Sequence, residues 1–298
     1  MPTKISDENQ NFIVGNDYET PSNWILSGYG YGNGLYWVTD RRMALSPDGK
    51  KLAYISKIDN AYNIMVRGVD PESPSTQRTF RRAATTWWGS NGRLYFNDNT
   101  VSKCPIQSTE AEQGSLIKQH TSNSNDWDPA LTKDGSLLYF TRFDGSGPSI
   151  WSLNMRTNEL KNYTKGYNAI PVGSSNTTIL CTRNQANGRS EIWMIDLSKG
   201  DETLILSDSE KGFTSPYPSA DGKWILVVGS SLSTITGKYN TDIYAVKSDG
   251  TQLTQLTYHP AIDTNPVFSK DGKYIYFISN RANEKNLFNL WRIENPLF

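Results

Sequence analysis

The chain has 298 residues, of which 36% are apolar, and its 30 Lys and Arg residues balance its 30 Asp and Glu residues. A charged fraction of 20% is too low for a disordered chain, and the aromatic side chains add bulk for a core. Because the net charge is zero, no overall field concentrates nucleic acid or anionic lipid, and we expect no nucleic-acid partner. No run approaches 18 apolar residues, so we expect no membrane insertion.

The beginning of the chain leaves the cellular location open. Residues 1–10 are polar and contain no apolar core of a signal peptide. We expect a cytoplasmic protein if Met1 is the native start, and a periplasmic, cell-surface or secreted protein if a leader was removed. The two cysteines, Cys104 and Cys181, fall in different repeats of the chain, so no disulfide is expected.

A short motif recurs along the chain and ends in a turn before an apolar run. In chain order, four full and two degenerate copies occur at Ser46–Gly49, Gly89–Gly92, Thr132–Gly135, Ser174–Asn176, Ser219–Gly222 and Ser269–Gly272. An Asp-Gly pair between two apolar runs favours a β-hairpin. Successive copies lie about 40–50 residues apart, which is the size of one propeller blade.

Each repeat predicts four strands. The first ends at the turn, and the second is apolar, as in residues 138–141 and 274–278. The third carries a pair of apolar or aromatic residues, at Ile64-Met65, Ile150-Trp151, Ile192-Trp193, Ile243-Tyr244 and Leu290-Trp291. Trp87 and Trp88 fall in a first strand, where we expect them to belong to the core.

The last repeat stops after its third strand, at Phe298, so its fourth strand has to come from elsewhere. Gly34–Thr39 has the alternation of a fourth strand and precedes the first repeat. Pairing it with the last blade closes the ring and removes both free sheet edges. We therefore predict an all-β, six-bladed β-propeller of four-stranded antiparallel blades, closed by an N-terminal strand. Residues 34–298 form the propeller, residues 1–33 form an extension, and deletion of 34–39 is expected to destabilise the protein.

The repeated residues resemble the WD40-like, or PD40, repeat of the TolB-like propellers. The family's proline position is matched by Pro129, Pro171, Pro216 and Pro266, and its arginine position by Arg142, Arg183 and Arg281. The resemblance covers residues 34–294 and implies a propeller that binds partner proteins without catalysis. TolB itself works in the bacterial periplasm and has a separate N-terminal α/β domain, which we do not expect here.

No motif in the sequence predicts a catalytic group, a metal or a cofactor. The chain contains no nucleophile elbow and no EF-hand loop, and Gly28–Gly34 precedes a strand and not a helix. His120 and His259 fall in loops after fourth strands of different blades, without a partner at metal-ligand spacing. Pectin-type lyases with a related repeat hold a divalent metal through histidines near the axis, and these two histidines do not match that arrangement.

The connections into the inner strands and the loops between second and third strands open on one face, which we call the loop face. Loops on a rigid scaffold commonly carry recognition. Asp40, Asp126, Asn168 and Asp263 begin four of the six connections, and we expect them to cap backbone amides. Arg142, Arg183 and Arg281 are expected to pair with carboxylates or carbonyls of neighbouring blades.

Residues that depart from the repeat are the better candidates for binding. Arg41-Arg42 and Trp127-Asp128 have no equivalents in the other repeats, and exposed Trp and Arg are common interface anchors. Gly229–Thr241 is predicted to be the longest loop between second and third strands. Together these residues form a lip around the axial opening, or alternatively Trp127 plugs the channel and the long loop has no role.

The sequence thus supports two hypotheses of function. The first is a monomeric, non-catalytic scaffold that binds a protein partner on the loop face. The second is a binder of carbohydrate or a small molecule, or a metal-dependent lyase, with Trp127 and Tyr29 or Tyr31 stacking on a ligand in the axial pocket. The candidate binding residues are Arg41, Arg42, Asp126, Trp127, Asp128, Arg142, Arg183, Asp263 and Arg281.

Overall fold

A computed structural model describes residues 1–5, 42–58, 61–79, 83–98, 104–111, 117–122, 125–185, 189–232, 239–281 and 289–297. Within these ranges the chain forms 24 strands in six antiparallel sheets of four. The same ranges contain no helix that is long and apolar enough to cross a membrane. The predicted six-bladed β-propeller is confirmed.

Five blades are built from consecutive strands, ordered from the inner to the outer edge. Blade 1 contains β2 (Ala44–Leu45), β3 (Lys51–Ile58), β4 (Ala61–Gly68) and β5 (Thr76–Gln77). Blade 2 contains β6 (Ala83–Trp88), β7 (Arg93–Asp98), β8 (Ile106–Glu110) and β9 (Lys118–Gln119). Blade 3 contains β10 (Asn125–Leu131), β11 (Leu137–Asp144), β12 (Gly147–Asn154) and β13 (Leu160–Lys165).

The next two blades follow the same order. Blade 4 contains β14 (Tyr167–Pro171), β15 (Thr178–Asn184), β16 (Ser190–Asp196) and β17 (Asp201–Leu206). Blade 5 contains β18 (Gly212–Pro218), β19 (Trp224–Leu232), β20 (Tyr239–Lys247) and β21 (Thr254–Gln255).

Blade 6 combines both ends of the chain. Its inner three strands are β22 (Asp263–Phe268), β23 (Tyr274–Ser279) and β24 (Asn289–Glu294), and its outer strand is β1 (Thr3–Lys4). Thr3 pairs with Arg292 and Lys4 with Trp291, so an N-terminal strand closes the ring as predicted.

The identity of the closing strand was predicted wrongly. Thr3–Lys4 holds the position assigned to Gly34–Thr39, and residues 34–39 lie outside the described ranges, as does the predicted boundary between residues 33 and 34. The sequence pattern favoured an apolar segment, but three other outer strands, β5, β9 and β21, also consist of two polar residues. The apolar contribution comes from the next residue, Ile5, which is 1% exposed.

The Asp-Gly turns have the expected hairpin geometry, on the side that we call the turn face. Gly49, for example, has a φ of 79°, in the left-handed region that favours glycine. The Ser46 hydroxyl donates to Asp48 Oδ1 over 2.6 Å, and the Lys50 amide donates to the same oxygen over 3.0 Å. These hydrogen bonds lower the pKa of Asp48. Each turn therefore satisfies its own polar groups.

The hydrophobic core consists of six layers, one between each pair of neighbouring blades. Between blades 6 and 1, Ile5 and Leu290 pack against Leu52 and Tyr54. Trp88 belongs to the layer between blades 1 and 2, while Trp87 packs on the layer between blades 2 and 3. Both tryptophans thus lie in the core as predicted.

The closing strand generates a test of stability. Ile5→Ala is expected to lower the free energy of unfolding by about 2–5 kcal/mol, because it removes buried apolar volume from the layer between the first and last blades. Denaturation in urea measures the loss. Thr3→Ala, on the exposed side of the same strand, is the matched control. Equal midpoints for the two variants would contradict the assignment of Thr3–Lys4 as the closing strand.

Candidate functional site

The inner strands of blades 2 to 6 share an irregularity where they meet the loop face. The pairing with the second strand slips by one residue in β6, β10, β14, β18 and β22. In blades 3 to 6, a left-handed, non-glycine residue with φ between 53° and 63° occupies the slip: Asp128, Asn168, Ser215 and Asn265. These residues and Arg42, which takes the same register position in blade 1, form what we call the axial ring.

This register corrects two details of the repeat alignment. Asn168 is the equivalent of Asp128, not of Asp126. Ala169 therefore corresponds to Pro129, and Pro171 lies two positions further along its strand. The misalignment arose because Asn and Asp occur at both positions and only backbone geometry separates them.

Arg42 is 5% exposed and reaches across the ring. Its Nε donates to Asn168 Oδ1 over 2.6 Å, and its second terminal nitrogen donates to the same oxygen. A further hydrogen bond of 3.3 Å reaches the Ala169 carbonyl oxygen, and one of 3.5 Å reaches that of Pro129. Because blade 4 lies opposite blade 1, this guanidinium spans the axis. The side chain is thus buried, where the sequence suggested an exposed anchor.

The residues around Asn168 form one connected network. The Asn168 backbone amide donates to Thr141 Oγ1 over 3.0 Å, and the Thr141 hydroxyl donates to Asp128 Oδ2 over 3.1 Å. Asp128 is 1% exposed. The network joins the axial-ring residues of blades 1, 3 and 4.

Trp127 lies neither on the lip nor in the channel. It is 6% exposed and packs with Cys104 and Phe143 between blades 2 and 3. Its indole Nε1 donates to Asn125 Oδ1 over 2.6 Å. The channel is instead spanned by Arg42, so both alternatives given for Trp127 were wrong. Tryptophan type alone does not distinguish an exposed ring from one that fills a gap between blades.

Two of the repeat arginines bind a carboxylate of their own blade. Arg142 forms two hydrogen bonds with Asp126, of 2.7 and 3.1 Å, and its guanidinium lies 4.4 Å from the Trp151 ring centre. In blade 6, Arg281 pairs with Asp263. The expectation of pairing with neighbouring blades was wrong for both arginines. Each connects the beginning of an inner strand to the second strand of the same sheet.

Arg183 does bridge two blades, as predicted. It binds Glu202 of its own blade over 2.7 and 2.8 Å, and its Nε donates to the Lys165 carbonyl oxygen of blade 3 over 3.0 Å. The bond to Glu202 raises the pKa of Arg183 and lowers that of Glu202.

Some of the predicted lip falls outside the described residues. Arg41, Tyr29, Tyr31 and the segment 28–34 are all among these. Residues 229–232 and 239–241 of the loop predicted at Gly229–Thr241 belong to β19 and β20, and residues 233–238 lie outside the described ranges.

The histidines and cysteines occupy structural positions. His120 Nε2 lies 2.8 Å from the Ser108 hydroxyl, and burial lowers the pKa of His120 to about 4. Burial raises the pKa of Cys104 to about 11 and that of Cys181 to about 12, and the two cysteines are not joined by a disulfide. In the part of the chain that is described, no group of three or more His, Cys, Asp or Glu residues is placed to hold a metal ion.

Sequence reasoning missed an exposed aromatic residue on the loop face. Tyr258 follows the outer strand of blade 5 and is 74% exposed, with its hydroxyl donating to the Gln255 carbonyl oxygen over 2.8 Å. His259 and Pro260 beside it are exposed as well. Among the described residues, Tyr258 is the only aromatic side chain with this exposure. Its signal in the sequence was an aromatic residue in a connection between blades.

A carboxyl group beside Tyr258 was missed as well. Asp242 is 8% exposed and accepts hydrogen bonds from Asn240 Nδ2 over 3.0 Å and from the Thr257 hydroxyl over 3.3 Å. Burial, followed by the negative charge of Asp263, raises the pKa of Asp242 to about 7. The side-chain Nδ2 of Asn240 also donates to the His259 carbonyl oxygen over 3.4 Å. Asp242 and Tyr258 therefore belong to one region of the loop face.

The buried Arg42 generates the next prediction. Arg42→Met is expected to lower the free energy of unfolding by about 2 kcal/mol, because acceptors in blades 3 and 4 lose a charged donor. Urea denaturation provides the measurement, with the exposed Arg156→Met as control. If both variants unfold at the same urea concentration, Arg42 does not hold the ring across its axis.

Asp242 generates a prediction about pH. Its pKa of about 7 in the folded protein exceeds the ordinary 3.8, so its contribution to stability is complete below pH 3.8 and is lost as the pH rises through 7. Asp242→Asn is expected to raise the free energy of unfolding at pH 8 by about 2–4 kcal/mol and to change it little at pH 4. Melting curves at the two pH values test this, with the exposed Glu159→Gln as control. A gain that is equal at both pH values would contradict it.

Comparison with known proteins supports the fold. No family model matches the sequence. TolB from Acinetobacter baumannii superposes with a TM-score of 0.64 at 17% identity, over 83% of this chain and 64% of that chain, which is less than two thirds of its length. Putative TolB from Agrobacterium tumefaciens gives 0.63 at 15% identity, over 86% and 90% of the two chains. Oligogalacturonate lyase from Vibrio parahaemolyticus gives 0.57 at 10% identity, over 86% and 89%. These likenesses establish that the chain has the six-bladed propeller fold of the TolB-like proteins.

Proposed function

We propose that the chain is a non-catalytic scaffold that binds a protein partner through the loop face, as a monomer. The observation that carries this proposal is Tyr258, which presents an exposed aromatic ring beside polar groups. Tyrosine is over-represented among residues that dominate the energy of protein interfaces. On the resemblance to TolB, the proposal includes a location in the periplasm or at the cell surface.

A rigid frame beneath this face supports the proposal. Six of the predicted site residues are buried or nearly so and are engaged in the hydrogen bonds described above: Arg42, Asp126, Asp128, Arg142, Asp263 and Arg281. We assign them the role of positioning residues. A loop that is already ordered loses less conformational entropy on binding, which favours affinity.

The axial-pocket alternative receives less support from the geometry. Its expected stacking residue, Trp127, is enclosed between two blades, and the Arg42 guanidinium occupies the space across the axis. Similar structures include both TolB and a lyase, so the fold does not choose between the two functions. The placement of the side chains favours the loop face.

A capture experiment tests the proposal. The immobilised protein is expected to retain a partner from a native extract, and Tyr258→Ala is expected to weaken retention at least tenfold, as for an interface residue worth more than about 1.4 kcal/mol. Lys133→Ala, an exposed change on the turn face, is the matched control. Retention that survives both changes, or that is lost equally with both, would count against the loop face.

A thermal-shift screen tests the alternative in parallel. Ligand at a hundredfold excess over its dissociation constant stabilises the folded state by about 2.7 kcal/mol. Divalent metals and acidic oligosaccharides are expected to leave the melting temperature unchanged. A clear rise with either would favour the axial pocket over the loop face.

A further inference from the structure

Equivalent positions on the third strands differ in how their charge is compensated. In blade 4, Glu191 lies directly across from Arg183, which provides a positive charge. In blade 5, the equivalent acid is Asp242, and the residue across from it is Gly229. A side chain at position 229 has no room, since an added Cβ atom would lie 2.5 Å from Cε2 of Tyr244. Blade 5 thus has the acid without the arginine.

The groups around Asp242 do not supply the missing charge. Its hydrogen-bond donors, Asn240 and Thr257, are neutral. The nearby charged groups are Asp263, Arg281 and Lys211. Arg281 is paired with Asp263, so it does not form a salt bridge with Asp242. The Lys211 ammonium donates to the Tyr244 hydroxyl over 3.3 Å, and in the described part of the chain Asp242 takes part in no salt bridge.

Two buried acceptor oxygens lie in the same region without a donor. Asp263 is fully buried, and its Oδ1 has no hydrogen-bond partner, while Oδ2 is bound by Arg281. Asn240 Oδ1, on the side chain that donates to Asp242, is likewise buried and unpartnered. Buried acceptors without donors destabilise the folded state. The region therefore presents a carboxyl group without a salt bridge, together with unused acceptors.

We propose that Asn240, Asp242 and Asp263, which we call the acidic notch, bind the guanidinium or ammonium group of an arginine or lysine side chain on a protein partner. Such a group carries the missing charge and several N–H donors. The partner's adjacent residues pack on Tyr258. That the bound cation belongs to a protein partner rests on the proposed function. The ability of the notch to bind such a cation does not.

The contacts favour an organic cation over a metal ion. The oxygens of Asp242 already accept hydrogen bonds from Asn240 and Thr257, which leaves few lone pairs for coordination. A calcium ion takes six to eight oxygen ligands. A guanidinium group needs only acceptors arranged about its edge, and hydrogen bonds between charged groups are the stronger ones.

A small probe tests the notch without the partner. Titration of the whole chain with N-acetylarginine amide at pH 8, followed by NMR, is expected to show binding, while the neutral N-acetylglutamine amide is not expected to bind. Asp242→Asn is expected to weaken binding at least tenfold. Asp242→Ser provides a second variant with the residue found at this position in blade 3, Ser149. The matched control is Glu191→Gln in blade 4, which is expected to leave binding unchanged.

The pH dependence provides an independent readout. Binding to the wild type is expected to weaken about tenfold from pH 8 to pH 6, because the fraction of charged Asp242 falls about tenfold around a pKa of about 7. In Asp242→Asn, the residual binding is expected to be independent of pH over this range. His259 is exposed beside the notch, and the same series on His259→Gln is the control for this neighbour.

Several results would overturn the proposal. These are equal binding of the probe to wild type and Asp242→Asn, binding that does not weaken at pH 6, and calcium chloride alone shifting the notch resonances while the probe does not. Loss of probe binding together with partner capture that still depends on Tyr258 would refute the notch and leave the proposed function standing. Probe binding that depends on Asp242, with partner capture indifferent to Tyr258→Ala, would refute only the proposed function.

Discussion

The inner strands have to bend where six blades converge, and the rest of the structure depends on how that bend is held. Asp128, Asn168, Ser215 and Asn265 are left-handed there, a backbone conformation that costs about 1–3 kcal/mol per residue and persists only when surrounding contacts fix it. Arg42 provides such contacts from the opposite side of the ring. One guanidinium therefore joins blades 1, 3 and 4 across the axis.

The two faces of the ring differ as a consequence. On the turn face, the Asp-Gly hairpins repeat one local pattern of hydrogen bonds, as between Ser46 and Asp48. On the loop face, the polar groups have different partners in several blades, as Arg142 and Arg183 do. Differences between blades are therefore confined largely to the loop face, and Tyr258 and Asp242 are two of them.

The sequence predicted what repeats and failed where the repeat breaks. Six Asp-Gly-like turns with a regular spacing determine the blade number, because local hairpin chemistry is encoded in adjacent residues. The closing strand was missed because an outer strand needs little apolar surface, so Thr3–Lys4 carried no pattern. The burial of Arg42 and Trp127 was missed because it depends on contacts with other blades, such as that between Arg42 and Asn168. Sequence spacing contains no record of such contacts.

The acidic notch departs from what stability alone would favour. A ring that had only to be stable would hold a neutral residue at the position of Asp242, as blade 3 does with Ser149 and blade 6 with Asn289. Blade 4 holds a partly buried acid there, Glu191, directly across from Arg183, whose positive charge lies nearby. Blade 5 has the acid beside a glycine, next to a second buried carboxylate. A repeat whose residues break a pattern that its neighbours follow is expected to do so at a functional site. There, a ligand provides the interactions that the residues themselves lack. In blade 4, the positive charge across from the acid is that of Arg183 in the second strand. In blade 5, we propose that a partner's side chain provides it.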